Sequence, residues 1–388
     1  MFYQLYEWQR PHLALWLEAF RMAGLAGPWQ HFARAHGELL TRTARAAEVP
    51  DATLEDAVAG DARGPILHEV VDRRPFHRLV RFRRARSGKA RTLLLAPHSG
   101  YATAVLSQLI HALLRQGEVL VTDWIDARLI PEAEGRFDLA EQIAIAASVF
   151  RRHGPRLQVV ALSQAGLAAL VATRRLAREA PARVPASLAL IGAPSAPEQA
   201  PPPLQRLLTA TPRAALEGQL LSTVASRYPG TGRRVFPGIF QLFAYAAASP
   251  ALYLDTHLGL LAELLVEVRQ GYARQHADLH RLIDVPAELF LDTLDHVRRP
   301  IFAATEPPPA RTRLLTVEAG ADGLVGAGQT HAAHELLAGA DGADRQTLTI
   351  PGAQHHDLFV GPRFAAELAP ALAAFAAAGG SRVSFRPG

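Results

Sequence analysis

Cysteine is missing from all 388 residues, and with it go disulfide staples, thiolate metal sites and a cysteine nucleophile. Covalent catalysis, if there is any, then falls to Ser, Thr, Lys or a carboxylate. Long apolar runs are also lacking. None approaches the ~20 residues that a spanning helix requires, and the first stretch of the chain is interrupted by Glu7, Arg10, Pro11, Glu18 and Arg21 where a secretory signal needs an unbroken apolar centre. The expectation is a globular protein inside the cell with no transmembrane segment. Lysine is almost absent, so the formal net charge of +5 rests on arginine. Arg78, Arg81, Arg83, Arg84, Arg86 and Arg91 cluster around Lys89. They alternate with Leu79, Val80 and Phe82 as the solvent face of an edge strand does, which argues against a nucleic-acid surface. Glycine-rich phosphate loops and an H-E-x-x-H pair are missing too, so no nucleotide, other cofactor or metal ion is expected.

What the chain does have is a full core's worth of apolar residues, 49% of the total, and a regular rhythm from Arg91 onward. Strand patterns at Thr92–Ala96, Val119–Trp124, Leu157–Leu162, Leu188–Ile191, Arg313–Val317 and Thr347–Ile350 are separated by helical patterns such as Ala102–Leu114 and Leu139–Arg152. Such alternation predicts an α/β fold, a doubly wound and mainly parallel sheet with ligands off the carboxyl ends of its strands. Residues 1–90 read as N-terminal helices and an edge strand, Pro75–Arg84. Residues 91–195 and 311–388 read as the core. Two proline clusters, Pro194–Pro203 and Pro307–Pro309, bracket a helical insertion over 196–310, which reads as a cap.

The run Leu157-Gln158-Val159-Val160-Ala161-Leu162-Ser163-Gln164-Ala165-Gly166, followed by apolar helix formers to Ala172, predicts strand, sharp turn and helix with Ser163 at the turn. A nucleophile elbow needs small neighbours because the backbone at the nucleophile is strained and the helix packs close to the strand. Ala161, Ala165 and Gly166 supply them, although Ala stands at both positions where G-x-S-x-G has glycine. The order Ser, acid, His is completed downstream. Asp322 follows the strand that ends near Val317, and His355 follows the last strand; Glu318 and His356 are the rivals for these two roles. The turn Ala96-Pro97-His98-Ser99-Gly100 offers one oxyanion-hole N–H from His98 or Ser99, and Gln164 offers the other, with the His98 ring expected as a pocket wall. His331 and His334 read as surface or supporting residues. Apolar caps suit apolar substrates, and Phe236, Phe240, Phe243 and Tyr245 are the best supply of such surface. Phe236, Phe240 and Trp124 form the expected substrate-binding set.

Several strings are unusual: Tyr3-Gln4-Leu5-Tyr6-Glu7-Trp8-Gln9-Arg10, the Ala96–Gly100 turn, Val121-Thr122-Asp123-Trp124-Ile125-Asp126-Ala127-Arg128, Gly232-Arg233-Arg234-Val235-Phe236-Pro237-Gly238, Leu291-Asp292-Thr293 and Gly326-Ala327-Gly328-Gln329-Thr330. Through them the chain resembles the intracellular poly(3-hydroxybutyrate) depolymerases of the α/β-hydrolase superfamily. The resemblance implies Ser163, Asp322 and His355 as nucleophile, acid and base, short-chain polyhydroxyalkanoate or its oligomers as substrate, and the polymer or granule surface as partner in the cytoplasm. Well-known members carry Cys at the elbow, where this chain has Ser163, so water rather than a thiol is the expected acyl acceptor. A general esterase, lipase or thioesterase is the enzyme alternative, and an inactive granule-surface protein the non-enzyme one.

Overall fold

Stretches in which apolar and β-branched residues crowd together form the strands of one sheet in the structure, a computed structural model. It describes residues 3–7, 30–46, 58, 60, 63–86, 88, 90–99, 105–266, 272, 282–302, 306, 308, 310–337 and 344–380. The strands are β1 (Ile66–Arg73), β2 (His77–Arg84), β3 (Ala90–Leu95), β4 (Gly117–Trp124), β5 (Leu157–Leu162), β6 (Ser187–Ile191), β10 (Arg313–Ala319) and β11 (Arg345–Ile350), in the order β1-β2-β4-β3-β5-β6-β10-β11. β1 and β2 pair antiparallel, as do β2 and β4, and every later pairing is parallel. This mixed, mainly parallel sheet is the α/β-hydrolase arrangement. β3, β5, β6 and β10 are buried along nearly their whole length because helices cover both faces, so they read as apolar runs and not as alternation.

Pro75–Arg84, expected at the sheet edge, contains β2 and lies one strand in, since β1 pairs along it. β1 is mostly exposed and carries His68, Glu69, Asp72 and Arg73, so its sequence lacks a buried-strand signature.

The helices that matter here are α1 (Gln30–Ala46), α2 (Val105–Leu113), α3 (Leu139–His153), α4 (Ala165–Glu179), α5 (Pro203–Ala210), α6 (Arg213–Leu220), α7 (Gly238–Ala248), α8 (Pro250–Val266), α9 (Ala287–Arg298) and α10 (Ala369–Gly380). Their ends follow local chemistry. Asp138 caps α3 by accepting from Glu141 N at 3.1 Å, Arg151, Arg152 and His153 favour the negative end of its dipole, and Gly154 at φ 55° stops it. α3 packs on α4, and α2 on α10.

Between β6 and β10 the chain is mainly helical, from α5 to α9, as the sequence suggests. It also holds a small antiparallel sheet of β7 (Ser222–Thr223), β8 (Arg234–Phe236) and β9 (Val285–Pro286), strands too short to show a period of two. One stretch comes near the length and composition of a spanning helix. His355–Ala378 passes on length and composition, because alanines offset Arg363, Glu367 and the two prolines, but a turn at Phe359 and Val360 interrupts its helix. Its Leu358, Phe364, Leu368, Leu372 and Phe375 are packed into the core.

Candidate active site

Ser163 sits at the turn from β5 to α4 with φ 49°, one of two non-glycine residues in the left-handed region among the described residues. Its N–H donates to Ile191 O at 2.8 Å and its carbonyl accepts from Gly166 N at 2.9 Å, which holds the strained turn in place. The small neighbours have a visible cause. Ala161 and Ala165 are buried, and a Cβ on Gly166 would lie 2.4 Å from Ala193 Cβ. Gln164 follows at the head of α4, where helix N–H groups have no partner within the helix.

The loop after β11 brings His355 to this turn. Its Nε2 lies 3.1 Å from Ser163 Oγ, and its Nδ1 lies 2.7 Å from Asp322 Oδ2. With Nδ1–H donating to the carboxylate, the Nε2 lone pair faces the serine. Asp322 is held in turn, since its Oδ1 accepts from Leu324 N at 2.8 Å and Val325 N at 2.9 Å. Burial alone would raise the Asp322 carboxyl. Attraction to His355, the hydrogen bond from it and the two backbone donors outweigh that and hold the carboxyl below its ordinary value. The side chains of His355 and Asp322 are only 3% and 4% exposed, so their attraction is little screened by water.

Both rivals are occupied elsewhere. Glu318 accepts from Gly328 N, Thr330 N and His331 N at 2.8–2.9 Å and so pins the loop after Asp322. His356 is buried with its ring edge-on to Tyr245 at 4.8 Å, and burial, reinforced by His355, pushes its pKa down to about 3, leaving it neutral. His331 and His334 share the Thr316 hydroxyl, at 2.8 and 2.9 Å. Among the described residues no group of three or more His, Asp or Glu side chains is placed to hold a metal ion.

Pro97 and Ser99, in the turn after β3, line a small cavity together with Ser163, His355 and Tyr245, whereas Gly100 lies outside the described residues. Two expectations about this turn are corrected. Trp124 does not face the substrate space: it is 6% exposed, its indole N–H donates to Ala96 O at 2.8 Å, and its ring stacks on His98 at 4.1 Å. Nor is the His98 ring a pocket wall. It is buried between Trp124 and Phe137, and burial, with His77 adding to it, lowers its pKa to about 3. An aromatic at a strand end is a packing residue as readily as a binding one, and here both rings support the turn from beneath.

A second cavity, of ≈ 190 Å³, is also lined by Ser163. Its walls come from α5, α7 and α9 and include Phe236, Phe290, Leu289, Tyr245 and Gln164; none of the described lining residues is charged. Two of its amide side chains donate within the protein, Gln205 Nε2 to Leu324 O at 2.9 Å and Gln241 Nε2 to Ile283 O at 2.8 Å. Phe236 stacks on Phe290 at 4.0 Å. Phe240, expected beside it, is not among the lining residues and is half-buried between Phe236 and Phe243. Phe243 is half exposed and borders a different cavity, next to Tyr3 and Asp284.

Residues missed by the sequence reading complete the site. Leu324 and Val325 fix Asp322 through backbone N–H groups, which leave no mark in sequence. Gly192, at φ 56°, clears space for the imidazole. A glycine directly after the buried Ser187–Ile191 strand is the signal that could have found it.

Residues 192–379 match the family described as "PHB de-polymerase C-terminus". No curated protein matches the chain. Among solved structures it is similar to the 2-hydroxy-6-oxo-6-phenylhexa-2,4-dienoate hydrolase of Rhodococcus sp. strain RHA1, at 16% identity over 80% of this chain and 100% of that one, with a TM-score of 0.46. It is also similar to a monoacylglycerol lipase of Paleococcus ferrophilus, at 15% identity over 78% and 99%, with a TM-score of 0.45. A third is the RedJ thioesterase of the prodiginine pathway of Streptomyces coelicolor, at 15% over 74% and 91%, with a TM-score of 0.40. Over residues 192–379, a little under half of its length, the chain is similar to the PHB de-polymerase family, and its sheet order and strained serine turn are those of an α/β-hydrolase arrangement.

Proposed function

We propose that the protein is a serine carboxylic-ester hydrolase that degrades short-chain polyhydroxyalkanoate or its oligomers, with Ser163 as nucleophile, His355 as base and Asp322 orienting it. The observation that carries this reading is the hydrogen-bonded series Asp322, His355, Ser163 at the mouth of an uncharged cavity. Ser163 Oγ attacks the ester carbonyl as its proton passes to His355 Nε2. The oxyanion is met by the N–H of Gln164 and by that of His98 or Ser99, and the imidazolium then protonates the leaving alcohol. Water, deprotonated by His355, releases the hydroxyacid and restores the serine. Burial of Asp322 and His355 strengthens their mutual attraction as the imidazolium forms.

The polyester as substrate is supported by the match over residues 192–379 and by walls that offer methyl and aryl groups to a chain bearing esters and no charge along its length. In this reading residues 196–310 act as a cap over a core made of 91–195 and 311–388, with 1–90 packed against it, and the enzyme works in the cytoplasm at the granule surface. Fluorophosphonate labelling tests the chemistry: the wild type becomes labelled and Ser163→Ala does not. Release of hydroxyacid from amorphous polyhydroxybutyrate tests the substrate. Labelling with no attack on polymer would leave a general esterase or thioesterase, and no labelling would leave a protein without the chemistry.

A further inference from the structure

Ser163 is shared by two cavities, and one side chain from α7 stands in both walls. The larger is lined by Ser163, Gln164, Phe236 and Tyr245, and the smaller by Ser163, Pro97, Ser99, His355, His356 and again Tyr245. The smaller is about a tenth of the larger, ≈ 20 Å³ against ≈ 190 Å³. An ester bound at Ser163 has two arms, and they must leave the carbonyl carbon in different directions. The arm that departs as alcohol takes its proton from His355, so it lies on the side that His355 lines. That is the small cavity, and the acyl arm is left with the large one.

Resting on the ester-hydrolase reading, we infer that Tyr245 is the specificity-determining wall that restricts the size of the leaving alcohol. Its ring is braced edge-on by His356 at 4.8 Å, and its phenol neighbours Ser99 in the turn after β3. Burial raises the phenol to about 12 and outweighs the opposing interaction with Ser99, so at neutral pH the wall is uncharged and suits an apolar alcohol. The ring is the barrier, and the hydroxyl is secondary to it.

The test uses the full chain and two esters of one acyl group, butyrate, differing in a secondary alcohol, isopropyl against benzhydryl, with rates normalised to alkaline hydrolysis. The wild type should favour isopropyl by about 10-fold or more in kcat/KM. Tyr245→Ala should erase most of that preference, and Tyr245→Phe, which keeps the ring, should retain it. Tyr245→Leu, a gentler truncation, should move in the same direction as Tyr245→Ala and serves if the alanine variant does not fold. A wild type indifferent to the alcohol, or a truncated variant with the preference intact, overturns the inference while hydrolysis and labelling uphold the ester-hydrolase reading. A wild type that neither hydrolyses nor becomes labelled overturns both.

Discussion

Gly192 and His355 occupy adjoining space, and a Cβ on Gly192 would come within 3.0 Å of His355 Cε1. The end of β6 therefore shapes the position of a side chain delivered by the loop after β11. Gly192→Ala adds both a left-handed alanine, at a cost of roughly 1–2 kcal/mol, and a methyl group against the imidazole. Turnover should fall on the order of 10-fold or more as the ring is pushed away from Ser163, a larger effect than the modest loss of stability suggests. Stopped assays with parallel thermal melts would show it, and unchanged turnover would mean the imidazole has room to spare.

His355→Ala should abolish ester hydrolysis, by on the order of 10⁴-fold, in a protein that still folds. His356→Ala should keep a measurable fraction of activity, because the neighbouring ring faces Tyr245 and only His355 lies between Ser163 and Asp322. Comparing single-turnover rates of the two variants checks this, and the reverse ranking would reassign the base.

Phe236→Ala removes one wall of the larger cavity without touching the serine, the imidazole or the carboxylate. Activity on amorphous polymer should fall several-fold more than activity on a small soluble methyl ester, since only remote binding energy is lost. Equal losses on both substrates together with a lower melting temperature would make the stacked Phe236 and Phe290 pair purely structural.

Asp284 gives a pH signature of stability. Burial raises its carboxyl to about 6, with Arg128 opposing and Asp126 adding to the rise, while Tyr3 donates to Oδ2 and Gly238 N donates to Oδ1 at 2.9 Å. The folded protein holds this proton to higher pH than the unfolded chain does. The contribution of Asp284 is therefore complete below about pH 4 and shrinks as pH rises through about 6. Asp284→Asn, which cannot titrate, should cost less stability at pH 7.5 than at pH 4. Urea unfolding at the two pH values measures the difference, and a larger cost at pH 7.5 would contradict it.

Much of the site was legible because its chemistry is tied to strand ends. Ser163 between small residues, Asp322 past one buried strand and His355 past the next each stand where a parallel sheet gathers its loops. Glu318 and Asp322 could be ranked but not separated by sequence, because what divides them is which backbone N–H groups each carboxylate meets. Trp124 and Phe240 were misread for another reason. An aromatic on a strand end or on α7, which is apolar nearly all round, has no periodicity to say which way it faces. The same lack hid Tyr245 among its aromatic neighbours. β1 escaped because its exposed, charged residues offer no apolar face, and β7 to β9 because two or three residues make no pattern.

A single carboxylate joins the start of the chain to the wall of the cleft. One oxygen of Asp284 receives the Tyr3 hydroxyl, and the other receives the first N–H of α7, the helix that carries Tyr245. Gln4 and Glu7 add bonds to Thr223 O and Arg227. Clipping the first several residues, by a protease or by cloning, would leave the serine, imidazole and carboxylate untouched while slackening the helix that sorts alcohols, so a trimmed preparation would keep its rate on small esters and lose its selectivity.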